Sequence, residues 1–88
     1  MKVTIPEAVL STELDAEGVL LNLETGEYFG LDEVGLVMWK LLQENGDVEA
    51  ARARLLDQFD VTEDVLTRDL SEFIGKLADR KLVVVSDA

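Results

Sequence analysis

The side chains most able to do chemistry in this sequence are carboxylates, because its 88 residues include no cysteine and no histidine. That composition removes the thiol nucleophile, the thiolate metal site and the commonest general base. Acid–base catalysis by carboxylates needs a pair held in a cleft that separates their pKa values, and so short a chain is poorly suited to building one. No segment has calcium-loop spacing or a glycine-rich phosphate loop. We therefore expect no enzyme, no metal site and no cofactor.

The charge of the chain bears on its partners. Eight basic and 19 acidic residues give a formal net charge of −11. Nucleic-acid affinity depends on neutralising phosphates with Lys and Arg, so DNA and RNA would be repelled, whereas a basic partner would be attracted. Simple solubility is the more common reason for an acidic surface. No apolar run is long enough to cross a bilayer, and the N-terminus lacks a signal-peptide core. We expect one cytoplasmic domain spanning residues 1–88, with no membrane partner.

The segment from Val19 to Leu42 organises the chain as a hairpin followed directly by a helix. Placing the hairpin loop at Thr25-Gly26 sets Leu23 opposite Tyr28, since glycine suits a tight turn. Side chains alternate across a strand, so one face would carry Leu21, Leu23 and Tyr28, and the other Leu20, Phe29 and Leu31. Both faces are thus apolar. The helices of the chain would cover one face, and the chain ends or another molecule would cover the other.

Flanking elements complete the predicted fold. An earlier strand falls within Val3 to Glu13, most of it from Ala8 to Glu13. Three side chains suit helix N-caps, namely Asp32, Asp47 and Thr62. They mark the starts of three predicted helices, which end near Asn45-Gly46, near Phe59 and near Arg80-Lys81. A short terminal strand is predicted at Leu82 to Val85. The predicted fold is α+β and winged helix-turn-helix-like, with a three-stranded antiparallel sheet followed by three helices.

A DNA-binding module is one function that such a fold permits. It would place its third helix in the major groove. The N-terminal end of that helix carries Glu63 and Asp64, and the basic Arg68 and Lys76 do not compensate for them. This alternative is therefore the weaker one.

A peptide-binding module is a second function. The edge of a small sheet has unpaired amides and carbonyls, to which an extended peptide can add itself as a further strand. The strand from Glu27 to Gly30 and the third helix would form a groove between them. Along that helix, apolar and charged side chains recur at i, i+4, i+8 and i+11, namely Val65, Asp69, Phe73 and Lys76. The alternative interpretation is that Val65 and Phe73 are core residues, and that the charged groups of Asp69 and Lys76 are simply exposed to solvent.

The residues from about Val9 to Val84 resemble the PqqD-like family of leader-recognition domains, also called RiPP recognition elements. The resemblance rests on the segments LLNLETGEYFGLDEVGLVMWKLL and FDVTEDVLTRDLSEFIGKLADRKLV, with a helix opened by Asp47-Val48 between them. Their specific parts are an LxTGxYFxL hairpin, an Asp-x-x-Gly helix start followed by a Trp, and the Val65, Asp69 and Leu70 of the third helix. Freestanding recognition proteins of lasso-peptide biosynthesis are the most similar members, and pyrroloquinoline-quinone chaperones come second.

The resemblance implies a non-catalytic function. The leader of a ribosomally made precursor peptide would add antiparallel to the third strand and lie against the third helix. The implied peptide-binding residues are Glu27, Tyr28, Phe29, Gly30, Val65, Leu66, Asp69, Leu70, Phe73 and Lys76. In lasso pathways a separate cysteine protease then removes the leader and a cyclase closes the core ring. The same sheet edge also permits two copies of the chain to pair, so a homodimer stays open.

Overall fold

The structure is a computed structural model that describes residues 1–86. It confirms the α+β fold, with the predicted three-stranded sheet followed by three helices. The last two residues of the predicted 1–88 domain lie outside the described residues. In chain order the elements are β1 (Lys2–Thr4), β2 (Val9–Leu14), β3 (Glu17–Asn22), β4 (Tyr28–Leu31), α1 (Glu33–Asn45), α2 (Val48–Gln58), α3 (Glu63–Asp79) and β5 (Val84–Ser86).

Two antiparallel sheets are present in residues 1–86. The larger one is a meander of strand order β2-β3-β4, as predicted. The smaller one pairs β1 with β5, placing Val3 opposite Val85. The terminal strand was predicted, but β1 was not, because its partner lies at the opposite end of the chain. Since β5 pairs with β1, the C-terminal strand does not occupy the edge of β4.

The hairpin register differs from the prediction. Leu21 lies opposite Tyr28, two residues away from the predicted partner Leu23. Asn22 causes the difference, because its side-chain oxygen accepts hydrogen bonds from the amides of Glu24 and Thr25 at 2.9 and 3.2 Å. The connection between β3 and β4 is therefore five residues long, with Gly26 at a φ of 76°. A two-residue shift preserves the faces, since side chains alternate with a period of two.

The two faces of the three-stranded sheet differ in exposure. The inner face buries Leu20 and Leu31 against the helices, in a core that includes Trp39, Leu42, Leu55, Leu70, Leu77 and Leu82. The outer face exposes the side chains of Leu10, Val19 and Tyr28, and Leu23 in the connection after β3 is exposed as well. The chain ends pair with each other in the smaller sheet, and these outer side chains stay uncovered in the described part of the chain.

The predicted helix caps are confirmed. The Asp32 carboxylate accepts a hydrogen bond from the Gly35 amide at 2.8 Å, and Asp47 and Thr62 cap the next two helices in the same way. At the end of α1, Gly46 adopts a left-handed φ of 67°, and its amide donates to the carbonyl of Leu42. Such caps satisfy backbone groups that a helix leaves unpaired at its ends. They fix where α1 and α3 begin.

An arginine joins α2 to the first turn of α3. The two guanidinium nitrogens of Arg52 lie 2.7 Å from Oε2 of Glu49 and 2.5 Å from Oε1 of Glu63. Hydrogen bonds to these two carboxylates raise the pKa of Arg52. The contacts help to orient α3 against α2, and α3 forms one wall of the site described next.

Candidate peptide-binding groove

The edge of β4 is the first component of the candidate site. β4 is the last strand of the β2-β3-β4 sheet and is paired only with β3 in residues 1–86. The amide of Asn22 donates to the carbonyl of Glu27, which makes these two residues a hydrogen-bonded pair. Because such pairs alternate along an antiparallel ladder, Phe29 bonds to β3 while Tyr28 and Gly30 direct their peptide groups outward. No strand in residues 1–86 pairs with those groups, so they form an open ladder position.

A groove lies beside this edge. It has a volume of about 360 Å³ and separates β4 and the start of α1 from α3. Asp32 caps α1 directly after β4 ends, so the first turn of the helix lies next to the strand. The lining residues are Phe29, Gly30, Leu31, Asp32, Val34, Gly35, Met38, Asp69, Glu72, Phe73 and Lys76.

Two aromatic rings form the apolar part of the groove. Phe29 of β4 and Phe73 of α3 meet edge to face, with ring centroids 6.4 Å apart. Both side chains are partly buried and pack against the core. A Cβ placed on Gly35 would lie 3.6 Å from Cε1 of Phe73, an ordinary van der Waals distance, so this ring packs against the first turn of α1. The pair offers surface to an aliphatic or aromatic side chain of a bound peptide.

Charged side chains are distributed unevenly along the groove. Asp69 and Glu72 line the part of α3 that precedes Phe73, and Lys76 lines the part that follows it. Arg80, one turn beyond Lys76, donates a hydrogen bond of 3.2 Å to the carbonyl of Tyr28. The groove therefore has an acidic end beside α1 and a basic end beside the start of β4.

Comparison with known proteins identifies the family. The model of a protein family described as coenzyme PQQ synthesis protein D (PqqD) matches residues 17–83. This chain belongs to the PqqD family. The finding confirms the resemblance drawn from the hairpin and helix segments. A search of curated protein sequences finds no match.

Two solved structures resemble this PqqD-family chain. TbiB1 in complex with the TbiA(beta) leader peptide has a TM-score of 0.88 and 38% sequence identity, covering 97% of this chain and 99% of that one. Lasso peptide synthetase B1 complexed with the leader peptide has a TM-score of 0.84 at 16% identity, covering 97% and 100%. The second likeness shows the shared fold alone.

The structure brings together some of the residues predicted for the site and separates others. Phe29, Gly30, Asp69, Phe73 and Lys76 line the groove. Glu27 and Tyr28 lie at the strand edge beside Arg80, with the Tyr28 side chain on the outer face of the sheet.

The other three predicted residues lie outside the groove lining. Leu66 and Leu70 are only 4% and 1% exposed and belong to the core, because they lie on the side of α3 that faces the sheet and the other helices. Val65 is exposed, one helical turn before Asp69.

Sequence reasoning missed the contribution of α1 to the groove. The cap residue Asp32 and the helix residues Val34, Gly35 and Met38 all line it, next to Leu31 at the end of β4. The signal was available, because Asp32 follows the strand at once and must place the first turn of the helix beside the strand edge. Glu72 was also missed, although it precedes the predicted Phe73 and lies one turn after Asp69.

The described residues contain little to support the other classes of site. No group of three or more His, Cys, Asp or Glu side chains in residues 1–86 is arranged to hold a metal ion. No helix in that range combines the length and apolar character needed to cross a membrane. The first turn of α3, which would enter a DNA groove, carries Glu63 and Asp64, both exposed. This acidic surface disfavours phosphate binding.

Proposed function

We propose that this PqqD-family chain binds the leader of a ribosomally synthesised precursor peptide. The leader adds antiparallel to β4 and places side chains in the groove against α3. The observation that carries the proposal is the open ladder position at Tyr28 and Gly30 beside the Phe29–Phe73 groove. A strand added at such an edge gains affinity from main-chain bonds and selectivity from adjacent side-chain pockets. Further support comes from TbiB1, which is 38% identical and was solved with a leader peptide.

The contacts are assigned from the geometry of the groove. On the strand side, Tyr28 and Gly30 bond to the leader through their peptide groups, and Phe29 contacts it through its ring, with Glu27 at the end of the strand. On the helix side, Asp69, Phe73 and Lys76 face the leader, and Val65 extends this wall by one turn. Leu66 and Leu70 act from the core, where they hold α3 in place.

The second part of the proposal is that the chain presents the bound leader to other enzymes of the pathway. The whole chain acts as one recognition domain and is itself non-catalytic. A bound leader tethers the core peptide near a separate cysteine leader peptidase, at an effective concentration of roughly millimolar for a short flexible link. The exposed outer face of the sheet, with Leu10, Val19 and Tyr28, offers this peptidase or the cyclase an apolar surface. Homodimerisation through β4 would compete with the leader for the same edge.

A chaperone for the precursor of pyrroloquinoline quinone is the alternative, favoured by the description of the family model. The genes beside this one distinguish the two pathways. A small precursor, a transglutaminase-like protease and an asparagine-synthetase-like cyclase would indicate the lasso pathway. A quinone-cofactor gene set would indicate the alternative.

Titration of the protein into a fluorescently labelled TbiA(beta) leader peptide tests the binding itself. We expect saturable binding at micromolar concentrations or below, and a scrambled peptide of the same composition serves as the control. Backbone amide NMR then locates the contact, with the largest shifts expected at Tyr28 to Leu31 and on the groove side of α3. Equal binding of the scrambled peptide, or shifts confined to β2 or α2, would contradict the proposal.

A further inference from the structure

Arg80 lies where the basic end of the groove meets the open edge of β4. Its Nη1 donates to the Tyr28 carbonyl at 3.2 Å, and its guanidinium carbon lies 5.4 Å from the ring centroid of Phe29. The Glu27 carboxylate is a weaker neighbour, with Oε2 at 3.8 Å from Nη1. The side chain is half-exposed, so it can change partners without unfolding α3.

The hydrogen bond to Tyr28 occupies a group that the proposed leader requires. The Tyr28 carbonyl points away from β3, because the hydrogen-bonded pairs of this ladder are formed by Asn22 with Glu27 and by Leu20 with Phe29. An added strand would donate one of its own amides to that carbonyl. The guanidinium would then leave the carbonyl while remaining above the Phe29 ring, and it would need a new acceptor.

The orientation of the leader determines which part of it supplies the acceptor. A strand antiparallel to β4 begins beside Leu31 and ends beside Tyr28. Its N-terminal part would then lie near Asp69 and Glu72, and its C-terminal part near Lys76 and Arg80. A leader that is basic first and acidic later complements this arrangement of charges.

We propose that Arg80 is a specificity-determining residue that exchanges the Tyr28 carbonyl for a carboxylate in the C-terminal part of the docked leader. This inference rests on the proposed function. Arginine suits the role because its planar group binds carboxylates through two parallel hydrogen bonds and stacks on aromatic rings. The Glu27 carboxylate competes with the leader carboxylate for the Arg80 guanidinium. Before the leader binds, Glu27 is the anion beside that guanidinium.

Two peptide sets test the inference, each derived from the TbiA(beta) leader peptide by replacing one residue at a time with Asp or with Lys. Affinities are measured for the unaltered protein, for Arg80→Glu and for Glu27→Gln. Arg54→Glu is the matched control, because Arg54 is exposed on α2 and its substitution changes the net charge by the same amount as Arg80→Glu. For the unaltered protein we expect one position, near the C-terminal end of the bound segment, at which Asp binds about fivefold more tightly than Lys.

The variants separate the outcomes. Arg80→Glu should reverse the preference at that position alone, Glu27→Gln should increase it, and Arg54→Glu should leave it unchanged. If the peptides bind but Arg80→Glu changes the preference for Asp over Lys at no leader position, the inference is overturned and the proposed function stands. A preference for Asp at the N-terminal end would also overturn it. If no peptide of either set binds the unaltered protein, the proposed function and the inference both fail.

Discussion

The rings of Phe29 and Phe73 meet at an interplanar angle of 64°, with their centroids 6.4 Å apart. One ring belongs to β4 and the other to α3, so this contact joins the two walls of the groove across a sequence separation that no local pattern spans. Edge-to-face pairs of this kind add about 0.5–1.5 kcal/mol beyond the burial of their area. The contact therefore both stabilises the fold and sets the surface that the leader meets.

Truncation of Phe73 should weaken leader binding. We expect Phe73→Ala to lose roughly 3 kcal/mol through the combined loss of packing in the protein and of contact with the leader, a value at the low end for Phe→Ala because the ring is only partly buried. Fluorescence anisotropy with the labelled TbiA(beta) leader peptide measures the change. Phe73→Leu, which keeps most of the apolar volume, is the control and should retain much of the affinity. Circular dichroism establishes that each variant is folded. Unchanged binding by a folded Asp69→Lys, Phe73→Ala double variant would refute the groove.

Proline at position 30 should block strand addition. The amide of Gly30 points away from β3, so Gly30→Pro removes a donor of the open edge without removing a bond of the ladder. The lost hydrogen bond alone is worth about 1 kcal/mol, and the ring adds a steric obstacle to the leader. We expect at least a tenfold loss of affinity. Gly30→Ala is the matched control, because a Cβ there meets no atom within 4 Å. Equal affinities for the Pro and Ala variants would contradict binding along β4.

Removal of the Asp32 cap should destabilise the start of α1. The carboxylate accepts a 2.8 Å hydrogen bond from the Gly35 amide. Replacing such a cap with Ala costs about 1 kcal/mol. We expect Asp32→Ala to lower the free energy of unfolding by about this amount in urea denaturation, and Asp32→Ser to retain most of it. A fully stable Asp32→Ala variant would mean that the cap does not fix the junction between β4 and α1.

Asn22 should be important for stability although it does not line the groove. It is 4% exposed, and its Nδ2 donates to the carbonyl of Lys81 at 2.7 Å, while its Oδ1 holds the hairpin loop. Leaving buried partners unsatisfied costs about 1–3 kcal/mol, so we expect Asn22→Ala to lose about 2 kcal/mol of unfolding free energy. Thr25→Ala, which removes an exposed hydrogen bond of the same loop, is the control and should cost much less. Similar losses for the two variants in urea denaturation would contradict the role of Asn22.

Local interactions explain the parts of the fold that the sequence predicted correctly. The caps at Asp32, Asp47 and Thr62 act on amides two or three residues away, so residue type and spacing suffice to find them. Alternation along β3 and β4 identified the two faces of the sheet for the same reason. The assignment of side chains to the two faces is correct despite the error in register, because the register was wrong by two residues and side chains alternate with a period of two.

Tertiary structure alone decided the remaining features. Pairing of β1 with β5 joins the two ends of the chain, and the contact of Arg80 with Tyr28 spans 52 positions. Neither follows from neighbouring residues. On α3, the family resemblance placed Leu66, Asp69, Leu70 and Phe73 together as a peptide-binding wall. Packing then buried Leu66 and Leu70 in the core and left Asp69 and Phe73 at the groove. A helical pattern identifies an apolar side, but only the position of the neighbouring strand and helix decides which of its residues remain accessible.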